Sequence, residues 1–297
     1  MMQYTLSYVL TTFNKLDYLK LTLPLLIQAC EADEEIVVVD GGSTDGTKAY
    51  LEDLFKEKKI HVVLSEKDKG EAHGINKALF LTNGELIKII TDDDLYDFVA
   101  IQACKKYMLQ HPETDVLGFD GYSCKVAEKP KFEKTNFIEG FHHWKKDGSA
   151  FLFCGLSLLI RKSSLPYLGL FNANYKIIDM EYSLRITSMK SKIAFYTGHA
   201  FVNIINPASN SVKFYDVIRK EYHKLRRTYP EARLNFRINN PILMMKERLN
   251  RIALKVQPVT APNPETLFML YQNIIPKGLG LFDKNRIVPF QILESTS

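Results

Sequence analysis

Apolar and polar positions along the first hundred residues switch repeatedly between a period of two and a period near 3.6. Tyr4–Leu10 is a short β-prone apolar run. A leucine-rich helical pattern then extends from Asn14 to Cys30, with Asn14 at the expected cap and Asp17 at the third helical position. Glu35–Asp40 contains Ile36-Val37-Val38-Val39, a β-branched run of the kind buried on both faces of a sheet. Gly41-Gly42-Ser43 marks a sharp turn before a helix over Thr47–Lys59. A strand is expected at His61–Ser65, then a helix at Glu71–Leu81 and a strand at Glu85–Ile90. Strand and helix in strict alternation predict βαβ units and a mostly parallel sheet.

The pattern loosens beyond residue 97. Phe98–Gln110 reads as a helix and Asp115–Phe119 as a strand, whereas the lysine-rich, aromatic stretch Lys125–Lys146 gives no clear period. Leu156–Arg161 reads as a strand and Ile178–Met189 as a helix. Two strands are expected at Ile193–Tyr196 and Phe201–Ile205, and a basic helix at Phe214–Tyr229. Pro241 opens another helix, whose Ile242, Met245, Leu249, Ile252 and Val256 share one face beside Lys246, Arg248, Arg251 and Lys255. That stripe suits packing, an oligomer contact with a second copy, or an anionic membrane surface.

Composition narrows the class. The chain has 297 residues, 46% hydrophobic and 25% charged, which is ordinary for a globular protein. No apolar stretch approaches the roughly 20 residues of a membrane span, and no secretory leader is visible. Cys30, Cys104, Cys124 and Cys154 lie far apart with no C-x-x-C pair, so reduced thiols are expected rather than zinc or disulfides. The expectation is a cytoplasmic protein, or one resting on the inner face of the cytoplasmic membrane. Net charge is +5, yet from Phe201 onward 15 Lys+Arg face 7 Asp+Glu, leaving the first 200 residues net acidic. A basic tail behind an acidic front suits an anionic surface or substrate. A nucleic-acid partner would explain that tail but not the acidic residues that close the strands.

In open α/β sheets, ligands bind beyond the carboxyl ends of the strands. Those ends read Thr11-Thr12-Phe13-Asn14, then Asp40 to Thr47, then Ser65 to Gly70, then Thr91-Asp92-Asp93-Asp94. All are polar, acidic or glycine-rich. Within the second, Ser43 or Asp45 also suits capping of the next helix. Three adjacent carboxylates repel one another without a counter-charge. Mg²⁺ or Mn²⁺ supplies one through hard oxygen ligands and leaves room for diphosphate oxygens. Neither a G-x-G-x-x-G nor a Gly-Lys-Ser/Thr loop is present, which argues against dinucleotide oxidoreductases and P-loop enzymes.

Together Thr12-Phe13-Asn14, Val37 to Thr47, Ser65 to Gly70, Asn76-Lys77 and Asp92-Asp93-Asp94 resemble, in order and spacing, the family-2 glycosyltransferases of the GT-A fold. The resemblance is dense over residues 4–100 and thinner to about 210. It implies a Rossmann-like sheet flanked by helices, in a GT-A domain over 1–210. Residues 1–100 would be its nucleotide-sugar half and 101–210 its acceptor half, with a basic helical extension over 211–297. It implies an inverting transfer from a nucleotide-diphosphate sugar, UDP-linked before others, to a glycan or lipid-linked acceptor in bacterial surface polysaccharide synthesis. By the same resemblance Thr12, Phe13 and Asn14 line the nucleotide pocket and Asp40 reads the base. Ser43, Asp68, Gly70 and Asn76 form donor-site walls. Asp92, Asp93 and Asp94 form the metal motif, with Asp94 as direct ligand beside Asp92. Asp179, in Ile178-Asp179-Met180-Glu181-Tyr182, falls at the catalytic base position, with Glu181 as the fallback.

The chain departs from that pattern at Thr11, where proline is usual, at Ile178, which replaces an acid, and at Cys154-Gly155, near where a histidine-containing segment is common. His142-His143-Trp144 offers either a sugar-stacking platform or a segment tucked on the core, and His199 either a metal approach or a structural role. Two other readings stand beside the transferase. A sugar-phosphate nucleotidyltransferase would be expected to show a basic Gly-rich loop after the first strand, which is missing. A non-catalytic nucleotide-sugar binder would have less need of an intact triple aspartate.

Overall fold

The computed structural model describes residues 4–126, 128–206, 214–232, 263–274 and 290–295. In chain order the early elements are β1 (Leu6–Thr12), α1 (Leu16–Ala29), β2 (Glu34–Asp40), α2 (Thr47–Lys56), β3 (Val62–Ser65), α3 (Glu71–Leu81) and β4 (Leu86–Ile90). Then come β5 (Leu95–Tyr96), α4 (Phe98–Gln110), β6 (Val116–Lys125), β7 (Phe132–Lys134), α5 (Phe137–Asp147), β8 (Leu158–Arg161), α6 (Leu165–Leu168), α7 (Ile178–Ser188) and β9 (Ile193–Ile205). The last described elements are α8 (Tyr215–Thr228), α9 (Pro264–Ile274) and β10 (Ile292–Glu294).

One sheet runs β10-β9-β6-β8-β4-β1-β2-β3, with β5 against β9 and β7 against β6. β3, β2, β1 and β4 are mutually parallel, and β8 is the antiparallel strand that joins them to β6. Alternation along each strand divides the core between the two faces. Leu6, Tyr8, Leu10, Ile36 and Val38 pack with α1, α2 and α4, while Val9, Val37 and Val39 pack with α3, α5 and α7. Every residue of β2 is buried, as its β-branched run requires. β1 has β2 on one side and β4 on the other, so chain direction across the sheet reverses there and a crevice opens above it.

Several local expectations change. Asn14 does not cap α1. It sits in the left-handed region at φ 51°, and its side-chain Oδ1 accepts the Thr44 N–H. The cap is non-local: Asp45 accepts the Leu16 N–H with one oxygen and the Thr47 N–H and hydroxyl with the other, tying the starts of α1 and α2 together. The two strands expected near residue 200 are one, β9, with a register shift where it passes Asp120. His199 lies at that irregularity, its ring 4.7 Å from that of Tyr122, in a structural setting. The unassigned lysine-rich stretch forms β7 and α5. Trp144 is buried on α5 and donates its indole N–H to Thr187 O at 2.9 Å, so it belongs to the core and not to a sugar platform.

The described part of the extension returns to the main body. α9 packs beside α1, where Tyr271 meets Tyr18 edge-on, and β10 adds a strand to β9. It is therefore not helical throughout. The stripe expected over residues 241–256 lies outside the described residues. Among those that are described, no helix is long and apolar enough to cross a membrane.

Candidate active site

Thr12 ends β1, and its hydroxyl donates to Asp92 Oδ2 at 2.8 Å, joining two strand ends across the crevice. Asp92, Asp93 and Asp94 are all buried, at 6%, 6% and 4% exposure. Lys15, at the mouth of α1, extends its ammonium between the first two, 3.0 Å from Asp92 Oδ1 and 2.6 Å from Asp93 Oδ2. Asn206 donates to Asp93 Oδ2 at 2.9 Å, and the Tyr271 hydroxyl donates to Asp93 O. Burial drives the Asp92 pKa up to about 6 against the pull of Lys15. Burial and the neighbouring Asp93 drive that of Asp94 up to about 8. Burial alone would lower the Lys15 pKa, yet Asp92 and Asp93 together hold it well above the usual lysine value.

Both oxygens of Asp94, the direct ligand that the resemblance implied, are engaged within the protein. One oxygen accepts the Thr91 hydroxyl at 2.6 Å, and the other accepts the Ile204 N–H at 2.5 Å and the Asn203 amide. Asp94 therefore ties the turn after β4 to β9. Among the described residues, the carboxylates that do converge in a group of three are Glu31, Asp33 and Glu34, around the Lys105 ammonium. For the aspartate turn this leaves a two-carboxylate seat on Asp92 and Asp93, whose hard oxygens already gather positive charge. Beside it the Tyr18 hydroxyl is buried and has no hydrogen-bond partner among the described residues, and the Asp93 charge acts on it. A small, hard divalent cation fits this donor set.

The other strand ends build the wall of the crevice. Asp40 is fully buried, and its carboxylate accepts from Ser43 N, the Ser43 hydroxyl and the Ser65 hydroxyl. It braces the Gly41–Ser43 turn rather than standing free in a pocket. Ser43 in turn accepts the Asn14 N–H at 2.8 Å. Asp68 accepts the Gly70 N–H at 2.8 Å and leans against Gly41, where a Cβ would lie 2.8 Å from its Oδ2. Phe13 is 57% exposed at the rim. Asn76 does not face the crevice with free groups: its amide donates to Phe171 O and accepts Phe171 N–H, clasping α3 to the segment before α7.

Asp179 lies in the first turn of α7, where the helix N-terminus favours negative charge. Its oxygens accept the Gly155 N–H at 3.3 Å and the Met180 N–H at 2.8 Å. Burial raises its pKa above the usual aspartate value, and those N–H groups partly offset the rise. Lys88, wholly buried in β4, donates to Leu156 O at 2.6 Å. The turn that serves Asp179 is thus pinned to the strand that leads into the aspartates. Glu181 is otherwise engaged: it pairs with Arg185 at 3.0 Å, and Arg185 also donates to the carbonyls of Leu168 and Leu170.

Lys15, Asn206 and Tyr271 escaped the sequence reading. The first had a signal, since three carboxylates require a cation and a lysine directly succeeds Thr12-Phe13-Asn14. The other two come from distant segments with no local mark.

Known proteins share this architecture. S. aureus TarS 1–349 in complex with UDP-GlcNAc superposes with a TM-score of 0.54 at 16% identity, over 97% of this chain and 95% of that one. The mannosyltransferase PcManGT of Pyrobaculum calidifontis, solved with GDP-Man and Mn²⁺, gives 0.57 at 17% identity, over 91% and 80%. At such identities the likeness shows the GT-A fold. In sequence, the Bacillus subtilis teichuronic acid biosynthesis glycosyltransferase TuaG is 27% identical over 129 residues, 43% of this chain and half of that protein's length. Residues 7–166, from the first strand through the antiparallel β8, match the profile of glycosyl transferase family 2, and the chain belongs to that family.

Proposed function

We propose that the chain transfers a sugar, with inversion, from a nucleotide-diphosphate donor to a hydroxyl of a glycan or lipid-linked acceptor in the synthesis of a surface polysaccharide. The observation that carries this reading is the buried Asp92–Asp93 pair at the reversal point of the sheet, joined to β1 through Thr12 and closed by a cation. The name of TuaG and the UDP-GlcNAc and GDP-Man bound to the solved neighbours favour the same substrate class. UDP is the donor base we favour.

In this reading Asp92 and Asp93 hold Mn²⁺ or Mg²⁺, which when bound offsets charge on the departing diphosphate. Asp94 fixes the turn that presents them. Asp40, through Ser43 and Ser65, shapes the backbone against which the nucleotide lies, with Phe13 as an exposed ring at the rim. Asp68 and Gly70 continue that wall. Asp179 takes the proton of the acceptor hydroxyl, making it a competent nucleophile for attack opposite the leaving group. A raised pKa suits that task, because a more basic carboxylate accepts the proton more readily. Glu181, committed to Arg185, serves α7 instead.

The place of action we propose is the cytoplasmic face of a membrane. α8 exposes Arg219, Lys220, Lys224, Arg226 and Arg227, and its Glu221 accepts the N–H groups of Lys176 and Ile177 just ahead of Asp179. Such a basic face suits anionic lipid beside a lipid-linked acceptor.

A screen of UDP-, dTDP- and GDP-sugars with Mn²⁺, scored by release of the nucleoside diphosphate, tests the reaction class. Release from at least one donor, quickened by polyprenyl-phosphate-linked or glycan acceptors, is expected. Release from none, with or without acceptor, contradicts the reading.

A further inference from the structure

The seat between Asp92 and Asp93 is closed by this chain's own cation. Lys15 is only 15% exposed at its side chain, and its ammonium reaches both carboxylates at hydrogen-bond distance. It engages Asp92 Oδ1 and Asp93 Oδ2, one oxygen of each carboxylate, and so fills the space between the pair. Among the described residues the remaining hydrogen bond to the Asp92 carboxylate comes from Thr12, on the other oxygen. A strong charge-assisted pair and a metal ion cannot both occupy that space. We propose that Lys15 is a displaceable internal cation. It neutralises the carboxylates before metal arrives and is expelled from between them when a divalent ion binds. The proposal rests on the metal-dependent donor site of the proposed function.

Expulsion has a cost that sets the order of binding. A lysine freed at this point lies next to the N-terminus of α1, whose dipole already makes the surroundings positive. It needs an anion there, and the diphosphate of the donor is one. Metal alone therefore binds weakly, because it must strand an ammonium. Metal with a nucleoside diphosphate binds well, because the ammonium is exchanged from carboxylate to phosphate. Coupling of this kind is reciprocal, so the metal must strengthen diphosphate binding by the same factor. Lys15 thereby keeps the empty site from collecting metal and makes metal and donor enter together.

Titration calorimetry with MnCl₂, in the presence and absence of UDP, tests this on the full-length wild type, Lys15→Met and Lys15→Gln. With UDP absent, the variants should bind Mn²⁺ about tenfold more tightly than wild type, within the usual range of such couplings. The enhancement by UDP expected of wild type should shrink in both by about that same factor, leaving the part due to direct contact between metal and diphosphate. In parallel, acylation of lysines in wild type, read by mass spectrometry, should show Lys15 protected in metal-free protein and more reactive when Mn²⁺ is added alone. If wild type binds Mn²⁺ with UDP but the variants gain no affinity and Mn²⁺ leaves Lys15 labelling unchanged, displacement is overturned while the metal site stands. If wild type binds no Mn²⁺ even with UDP, the metal-dependent site itself is wrong, and this proposal falls with it.

Discussion

At the scale of single residues, Asp179 and Glu181 show how position within one helical turn separates two carboxylates. Among the described residues Asp179 accepts only backbone N–H groups, whereas Glu181 is held by Arg185. Asp179→Asn should lower the transfer rate by about 10²–10⁴-fold, with UDP affinity nearly unchanged in calorimetry. Glu181→Gln should cost stability more than rate, because Arg185 and the loop it holds lose their partner. A dead Glu181→Gln beside an active Asp179→Asn would reverse the assignment. The raised pKa also sets the sign of the pH effect. Asp179 must be ionised to accept a proton, so the acid limb of kcat/KM should lie above the value near 3.9 typical of free aspartate. The aspartates themselves were legible, since three adjacent carboxylates demand a counter-charge. Which of them is tied into the sheet was not, because, besides Thr91, the partners of Asp94 come from β9, 109 and 110 residues away in sequence.

Elements were readable wherever their periodicity was set locally. β2, α3 and α4 fall at or within a residue of where the pattern placed them. α5 was missed although Phe137, Phe141 and Trp144 keep helical spacing. Its start is fixed by Asp120, which accepts the Phe137 and Ile138 N–H groups from a strand 17 and 18 residues earlier. Asn136 stands at its N-cap but makes no capping hydrogen bond to the helix. β4 carries the most testable element-scale feature. Lys88 is wholly buried, donates to the carbonyls of Ile89 and Leu156, and lies over the rings of Tyr96 and Phe119. Burial lowers its pKa to about 7, while the unfolded chain keeps a value near 10.4. Between those values the unfolded chain binds more protons, so this group makes stability rise with pH. Chemical denaturation from pH 7 to pH 10 should show wild type gaining on Lys88→Met across that window. A constant difference between the two proteins would contradict a lysine pKa lowered by burial.

At the scale of the whole molecule, sequence order conceals how much the far end of the chain contributes to the site. Tyr271 of α9 donates to Asp93 O, and β10 completes the edge of the sheet beside β9. Long-range returns of this kind leave no periodic trace, which is why the extension reads as a separate basic appendage. The basic face of α8 gives a further prediction. Reversing Arg219, Lys220, Arg226 and Arg227 to glutamate should abolish sedimentation with anionic vesicles at low salt, at about 1 kcal/mol per charge, while transfer to a soluble acceptor continues. Wild-type protein that ignores such vesicles at low salt would assign the face to solvent. In the proposed function metal, donor and Lys15 all meet at the Asp92–Asp93 seat, and one calorimetric comparison addresses it: UDP titrated into wild type with Mn²⁺, into wild type with chelator, and into Asp93→Asn with Mn²⁺. Binding in the first and its loss in the other two is the predicted result. Equal binding of UDP in all three would contradict a metal-bridged diphosphate on these carboxylates.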